Sequence, residues 1–392
     1  MVRRIAVTLA VVWAAVLPGR SSAGPKGTWA VETSSPRKGA PDDAMDAALV
    51  AACGGGIEAS LVAAAREVAQ VLVAKGELPD AQEIDWRLRK AGDPHVWPRT
   101  WGAQTQGPLD RAKLAGDVKK WLGAKAARAR CGVATVRAGK GDDTREAAVV
   151  LAIDPVADLA ALPTHVKPGA WLELDATLFG GTNGRVVVLP PTGAPKTVLA
   201  STSLGVPAHV RSRFALATPG RHVIQVLADD DNGPRPVLEA EVYAGVEPPE
   251  SPPSSAVPGE EKGDAATDPV DALLRRINGA REAEGLAPLA LDQQLSLVST
   301  AHAEAMRKAK VLGHDVGDGD PADRVAEAGI VKWKLIGENV AKAKTERAAH
   351  RAIYASPSHR GNVLEARFKR VGIGVASDAK TGYLWVAELY GG

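Results

Sequence analysis

The rhythm of apolar and polar positions changes several times along the 392 residues, and each change marks a different kind of structure. From about 44 to 160 it is mostly helical. Leu61, Ala65, Val68 and Leu72 recur at spacings of three and four, so Ile57 to Ala74 presents one apolar stripe. Asp46 to Ala52, Ile84 to Ala91 and Leu109 to Ala129 repeat the pattern, with Gly92-Asp93-Pro94 as a stop signal. Cys131 to Val136 and Ala147 to Ile153 read as strands joined by a polar turn. The spacing predicts an α+β domain over 44–160.

From 161 to 246 the period drops to two. Trp171 to Leu178, Arg211 to Leu216 and Val237 to Tyr243 alternate, while Arg185 to Leu189 and His222 to Leu227 are short apolar runs. Gly, Pro and Asn turns separate them, which predicts an antiparallel β-sandwich. Its cadence, with Pro219-Gly220 before a late strand, resembles bacterial immunoglobulin-like modules. Such a module serves as a spacer or, alternatively, as a surface for a protein partner. Residues 247–267 are Pro, Ser, Glu and Gly with little to bury, and read as a linker.

At Asp268-Pro269 the helical rhythm returns, opened by an N-cap and a proline at the first helical position. Leu273, Leu274 and Ile277 carry that helix towards Gly285, and a second one puts Leu295, Val298, His302 and Ala305 on one face. His302 is therefore expected to be a core histidine satisfied locally. Asp323 to Ala328, Thr345 to Tyr354 and Pro357 to Leu364 give shorter helices, and Val371 to Ala376 with Tyr383 to Leu389 a closing strand pair.

The first residues change the compartment. Arg3 and Arg4, the apolar run Ile5 to Leu17 and the small residues Ser21-Ser22-Ala23 describe a signal peptide over 1–23. The run is short for a membrane span, which needs about 20 apolar residues, although an uncleaved anchor is the alternative. The expectation is a secreted or periplasmic protein without a transmembrane helix after cleavage, beginning with a flexible leader at 24–43. In that setting Cys53 and Cys131 are expected to form a disulfide, worth on the order of 4 kcal/mol through loop closure; two buried thiols are the alternative. A formal charge of +2 gives no footprint for nucleic acid or a membrane surface.

Candidate chemistry concentrates near the end of the chain. His314, Glu338 and His359 lie between apolar flanks, and His359 follows Ser356-Pro357, an N-cap with proline at N1. A positive helix end disfavours imidazolium, so His359 is expected to be neutral. His314 and His359 are two of the three ligands typical of a catalytic zinc, with Asp315 or Glu338 as the third. A weakly bound divalent metal such as zinc is thus left open, and no cofactor is required.

These residues carry a resemblance. His302-Ala303-x-x-Met306, His314, Gly337-Glu338-Asn339-Val340-Ala341, Ser356-Pro357-x-His359-Arg360-x-Asn362-x-Leu364 and Val371-Gly372-Ile373-Gly374-Val375-Ala376 look like the CAP superfamily, also called the SCP domain. The resemblance covers about 268–392 and is strongest to the secreted bacterial branch. It implies an α-β-α sandwich with a cavity lined by His314, Glu338, His359, Asn339 and Ser356, where Ser356 stands in place of a second acid. It also implies binding of a small apolar or cell-envelope ligand. The rival readings are a metal-dependent hydrolase of peptide or cell wall using His314, Glu338 and His359, and a passive adhesion or scaffold protein. With no nucleophile or oxyanion motif, the sequence leans away from an enzyme; if there is catalysis, Glu338 and His359 are the candidates.

The first domain echoes the last. Cys131-Gly132-Val133-Ala134 mirrors Ile373-Gly374-Val375-Ala376, and Trp86 to Gly92 mirrors Asp323 to Gly329, without Gly-Glu-Asn or Ser-Pro-x-His. The echo suggests a degenerate CAP-like domain that has lost its site.

Overall fold

The computed structural model describes residues 28–40, 46–231 and 233–392. The expected signal peptide lies outside them. The chain forms two compact units: one ends at Thr164 and takes back Pro248–Pro252, the other holds His165–Glu247 and Pro253–Gly392. No helix of the described residues is long and apolar enough to cross a membrane.

In the first unit the Ala59–Lys75 helix packs on a three-stranded antiparallel sheet ordered Arg99–Gln106, Arg145–Ile153, Arg130–Ala138. Side chains alternate faces along a strand. Ala134 with Val149 and Leu151 meets that helix, whereas Cys131 and Val133 meet the Arg111–Leu122 helix on the other face. Gly132 sits under the helix: a Cβ there would come within 2.0 Å of the Leu61 backbone. Cys53 and Cys131 are joined, their Cα atoms 6.1 Å apart.

Three features of this unit are not announced by the pattern of its sequence. The strand Arg99–Gln106 was not expected, because Arg-Thr-Trp-Gly-Ala-Gln-Thr-Gln has no apolar alternation. The leader is not flexible over 28–40. Glu32–Thr33 pairs with Leu162–Pro163, Trp29 stands edge-on to Trp86 at 6.0 Å, and Thr33 and Ser35 are buried. His95, which the sequence leaves without a role, is buried between two carboxylates. Its Nδ1 lies 2.9 Å from Asp93 Oδ1 and its Nε2 3.7 Å from Asp158 Oδ1. Burial opposes its charge, but Asp93 and Asp158 outweigh that and raise its pKa to about 9.

Residues 165–247 form a β-rich region. One sheet runs Lys196–Val198, Thr182–Leu189, Gly220–Asp230, Gly233–Ala244 and His165–Val166, antiparallel except for the last pair. A second holds Ala200–Thr202, Ala208–Ala215 and Trp171–Leu178. Leu172, Leu174, Ala176 and Leu178 point inwards in strict alternation, as the sequence pattern requires.

The C-terminal residues form an α-β-α sandwich. The sheet order is Ala290–Leu291, Arg370–Asp378, Tyr383–Gly391, Ile336–Ala343. Val371 and Ile373 face the Pro269–Ala283 and Glu346–Ala355 helices. Gly372 and Gly374 face the Gln293–Ala309 helix so closely that a Cβ on either would fall 2.2 Å from its backbone. The linker reading needs correction here, since Val257 and Glu260 are buried against this domain. Glu260 is bound by Arg351, which with the Val257 amide holds its pKa down at about 2.

The two α/β parts share a strand order. In each, a 17-residue helix precedes an antiparallel strand, a further helix and a closing hairpin, and the hairpin's second strand is central. Gly132 meets Leu61, third in its helix, as Gly372 meets Leu295, third in its own. The structural counterpart of Cys131–Ala134 is therefore Val371–Gly374, two positions from the register read in the sequence. Because the disulfide closes a 78-residue separation, replacing Cys53 and Cys131 together by alanine should cost the first unit about 4 kcal/mol, read as a lower urea midpoint with a somewhat steeper slope, since the unfolded chain is released.

Candidate functional site

Glu338 is the centre of the site. It lies in the Ile336–Ala343 strand with its side chain 2% exposed, so its charge needs partners. Arg324 Nη2 donates to Oε1 at 2.5 Å, and His314 Nδ1 lies 2.9 Å from Oε2. Arg324 is delivered by the Pro321–Glu327 helix, which Asp320 caps by accepting from the Asp323 amide. The same guanidinium donates to the carbonyls of His314, at 2.7 Å, and Gly319. One arginine thus holds the carboxylate and the loop that carries the histidine.

His302 is fully buried beside this pair, with Nδ1 2.8 Å from Asp318 Oδ2 and Nε2 3.0 Å from the Gly313 carbonyl. It is satisfied locally, as expected. Its Nε2 also stands 3.7 Å from Glu338 Oε2, which places it in the site's wall. Asp315 accepts from the Gly317 and Gly319 amides and shapes its own turn.

His359 sits in the first turn of the Pro357–Val363 helix. It is half-buried. Burial, and secondarily nearby His314, pushes its pKa down to about 3. Neutrality was expected from the helix end; burial is the larger cause. Ser356 is the N-cap by position but makes no capping hydrogen bond, its hydroxyl lying 3.3 Å from that of Ser358. The Ser358 amide instead donates to Gln225 Oε1 at 3.1 Å.

Asn339 is fully buried and acts as a brace. Its Nδ2 donates to the His359 carbonyl at 3.1 Å, and its Oδ1 accepts from Asn362 Nδ2 at 2.9 Å. Beneath it lies Glu388, which the sequence reading missed. Tyr390 Oη donates to Glu388 Oε2 at 2.6 Å, while Oε1 is buried without a hydrogen-bond partner. Burial raises the Glu388 pKa to about 7 against the Tyr390 and Asn339 hydrogen bonds. The signal was present: a lone charge within Tyr-Leu-Trp-Val-Ala-Glu-Leu-Tyr. Arg324 gave none, since it reads as an ordinary solvated helix charge.

The donor set does not fit a metal ion. Among the described residues no group of three or more His, Cys, Asp or Glu side chains is arranged to hold one. Both Glu338 oxygens are engaged, and the Arg324 charge at one of them opposes a cation.

Residues 274–389 match the family described as cysteine-rich secretory protein, CAP. The C-terminal domain belongs to the CAP family. YkwD of Bacillus subtilis, an uncharacterized protein, is 31% identical to this chain over 121 residues, 30% of the chain and 46% of YkwD. The chain thus spans about half the length of that relative. Two solved structures align more loosely. An outer surface protein of Borrelia burgdorferi is 18% identical, with a TM-score of 0.30, over 32% of this chain and 92% of that one. An extracellular SCP-domain protein of Bacillus anthracis is 16% identical, with a TM-score of 0.29, over 60% of this chain and 85% of that one. The CAP assignment rests on the family match and YkwD.

Two titrations within the CAP domain have opposite signs. His359 is held neutral, so its contribution is lost as pH falls below 6.5 towards 3. Glu388 is held protonated, so its contribution is complete below 4.5 and lost as pH rises to about 7. At about 1.4 kcal/mol per pKa unit that loss is on the order of 3 kcal/mol. Glu388→Gln should therefore gain about that much on wild type between pH 4.5 and 7.5, measured as the pH dependence of the difference in urea midpoints. The His359 contribution is common to both proteins and cancels; a difference independent of pH would refute the assignment.

Proposed function

We propose that the protein acts outside the cytoplasm and that its CAP domain recognises a small apolar or cell-envelope ligand at His314 and His359. The observation that carries this reading is the double engagement of Glu338. A carboxylate clamped by Arg324 on one oxygen and by His314 on the other is a rigid polar post, without a free oxygen for a metal or a substrate proton. Neutral His359 offers a hydrogen-bonding edge at little charge, and Val311 and Leu312, both exposed, add apolar surface just before His314. Such a combination suits a ligand with an apolar body and a polar end. In this reading Glu338 and Asn339 position the histidines, and Ser356 completes the rim.

The remaining parts follow as proposals of the same standing. Residues 161–246 are an immunoglobulin-like sandwich and 268–392 the CAP domain. Residues 44–160 are a CAP-like fold without the site. By pairing register Thr100 takes the place of Glu338 and Val150 that of Glu388, so both carboxylates are gone. A signal peptide over 1–23 and a secreted or periplasmic location complete the reading.

The test separates binding from metal-dependent hydrolysis. The full chain should bind a dansyl-labelled fatty acid, and His314→Ala with His359→Ala should weaken that at least tenfold at an unchanged melting temperature. Equilibrium dialysis against zinc should show equal uptake by both proteins. Stoichiometric zinc on wild type, lost in the double variant, would overturn this reading in favour of a metal site.

A further inference from the structure

The strand Gly220–Asp230 does not alternate. His222 to Ala228 are all buried, although Trp171–Leu178 in the facing sheet alternates strictly. A strand buried on both faces is covered twice, and its second cover is the CAP domain. Three contacts define that cover. Gln225, 1% exposed, accepts from the Ser358 amide at 3.1 Å, one residue before His359. Gly233, at the start of the next strand, lies so close to His314 that a Cβ there would be 3.0 Å from the histidine's own Cβ. Pro195 meets the position of a Cβ on Gly361 at 3.4 Å. The sheet therefore touches both segments that carry the candidate histidines.

Gln225 is oriented for this contact. Its Nε2 donates to Glu239 Oε2 at 3.0 Å, which turns its oxygen towards Ser358. It makes the capping contact that Ser356, the N-cap residue, does not make. Burying an amide in a sheet needs both ends satisfied, and here one of the two partners belongs to the other domain. Buried Val223 shares the face of Gln225, and the contact is closed at His314 by Gly233, a residue without a side chain.

We propose that the middle β-region is an intramolecular cover on the CAP site, and that a ligand gains full access to His314 and His359 when the sheet carrying Gln225 lifts. This rests on the reading of those histidines as a binding site, but the cover can be tested without any ligand. Diethyl pyrocarbonate acylates neutral, accessible imidazole, and His359 is neutral at pH 7, so its rate reports access rather than protonation. Exposed His209 is the internal reference. In the full wild-type chain, peptide mass spectrometry should show His359 modified at least tenfold more slowly than His209. Gln225→Ala and, independently, Gly233→Val should each raise the His359 rate at least tenfold and leave that of His209 unchanged. A thermal melt confirms that each variant is folded; should Gly233→Val fail to fold, Gln225→Ala decides. Modification of wild-type His359 at the His209 rate, or a His359 rate unchanged in folded Gln225→Ala, overturns the cover. Failure of fatty-acid binding with these rates as expected would overturn the ligand reading alone.

Discussion

A carboxylate buried in a sheet has to be neutralised where it stands, and the Arg324–Glu338 pair does this for the CAP domain. The rest of the site follows from it. Arg324 reaches Glu338 only if the short helix after Asp320 is in place, and the same guanidinium ties down the His314 and Gly319 carbonyls. Removing one partner of such a pair costs about 3–5 kcal/mol, because the other charge is left uncompensated. His314 is therefore placed by a loop that is rigid for electrostatic reasons, and Glu338 is committed to structure. A site built this way can present hydrogen bonds, but has little freedom to exchange ligands on its acid.

The second constraint is steric. Alternate glycines in Val-Gly-Ile-Gly-Val let the Gln293–Ala309 helix lie against strand backbone, while valine and isoleucine fill the opposite face. Gly132 does the same for the Ala59–Lys75 helix. Helix-on-glycine packing preserves an architecture whatever happens to the polar residues. The first unit has the same strand order and the same helix-on-glycine contact.

Much of this was legible because apolar period follows directly from which faces are buried. The helices at 59–75 and 293–309, the closing hairpins and the β-rich middle all announced themselves in that way. The two histidines and Glu338 were legible through a motif resemblance. What stayed hidden was whatever depends on a partner distant in sequence. Arg99–Gln106 is a strand because Arg145–Ile153 pairs with it, not because of its own pattern. Residues 28–40 are ordered because Leu162–Pro163 and Trp86 receive them. Ser356 looked like the cap of its helix, and the capping contact came from Gln225, 133 residues away.

The loss of alternation in Gly220–Asp230 connects the site to its surroundings. Seven consecutive buried residues in one strand need cover on both faces, and a neighbouring sheet of the β-rich region can cover only one. The other face needs a second surface, and the Pro357–Val363 helix supplies part of it. His359 follows Ser358 directly, and burial with nearby His314 pushes its pKa down to about 3. The buried run in the middle region and the segment carrying His359 in the CAP domain meet at one interface.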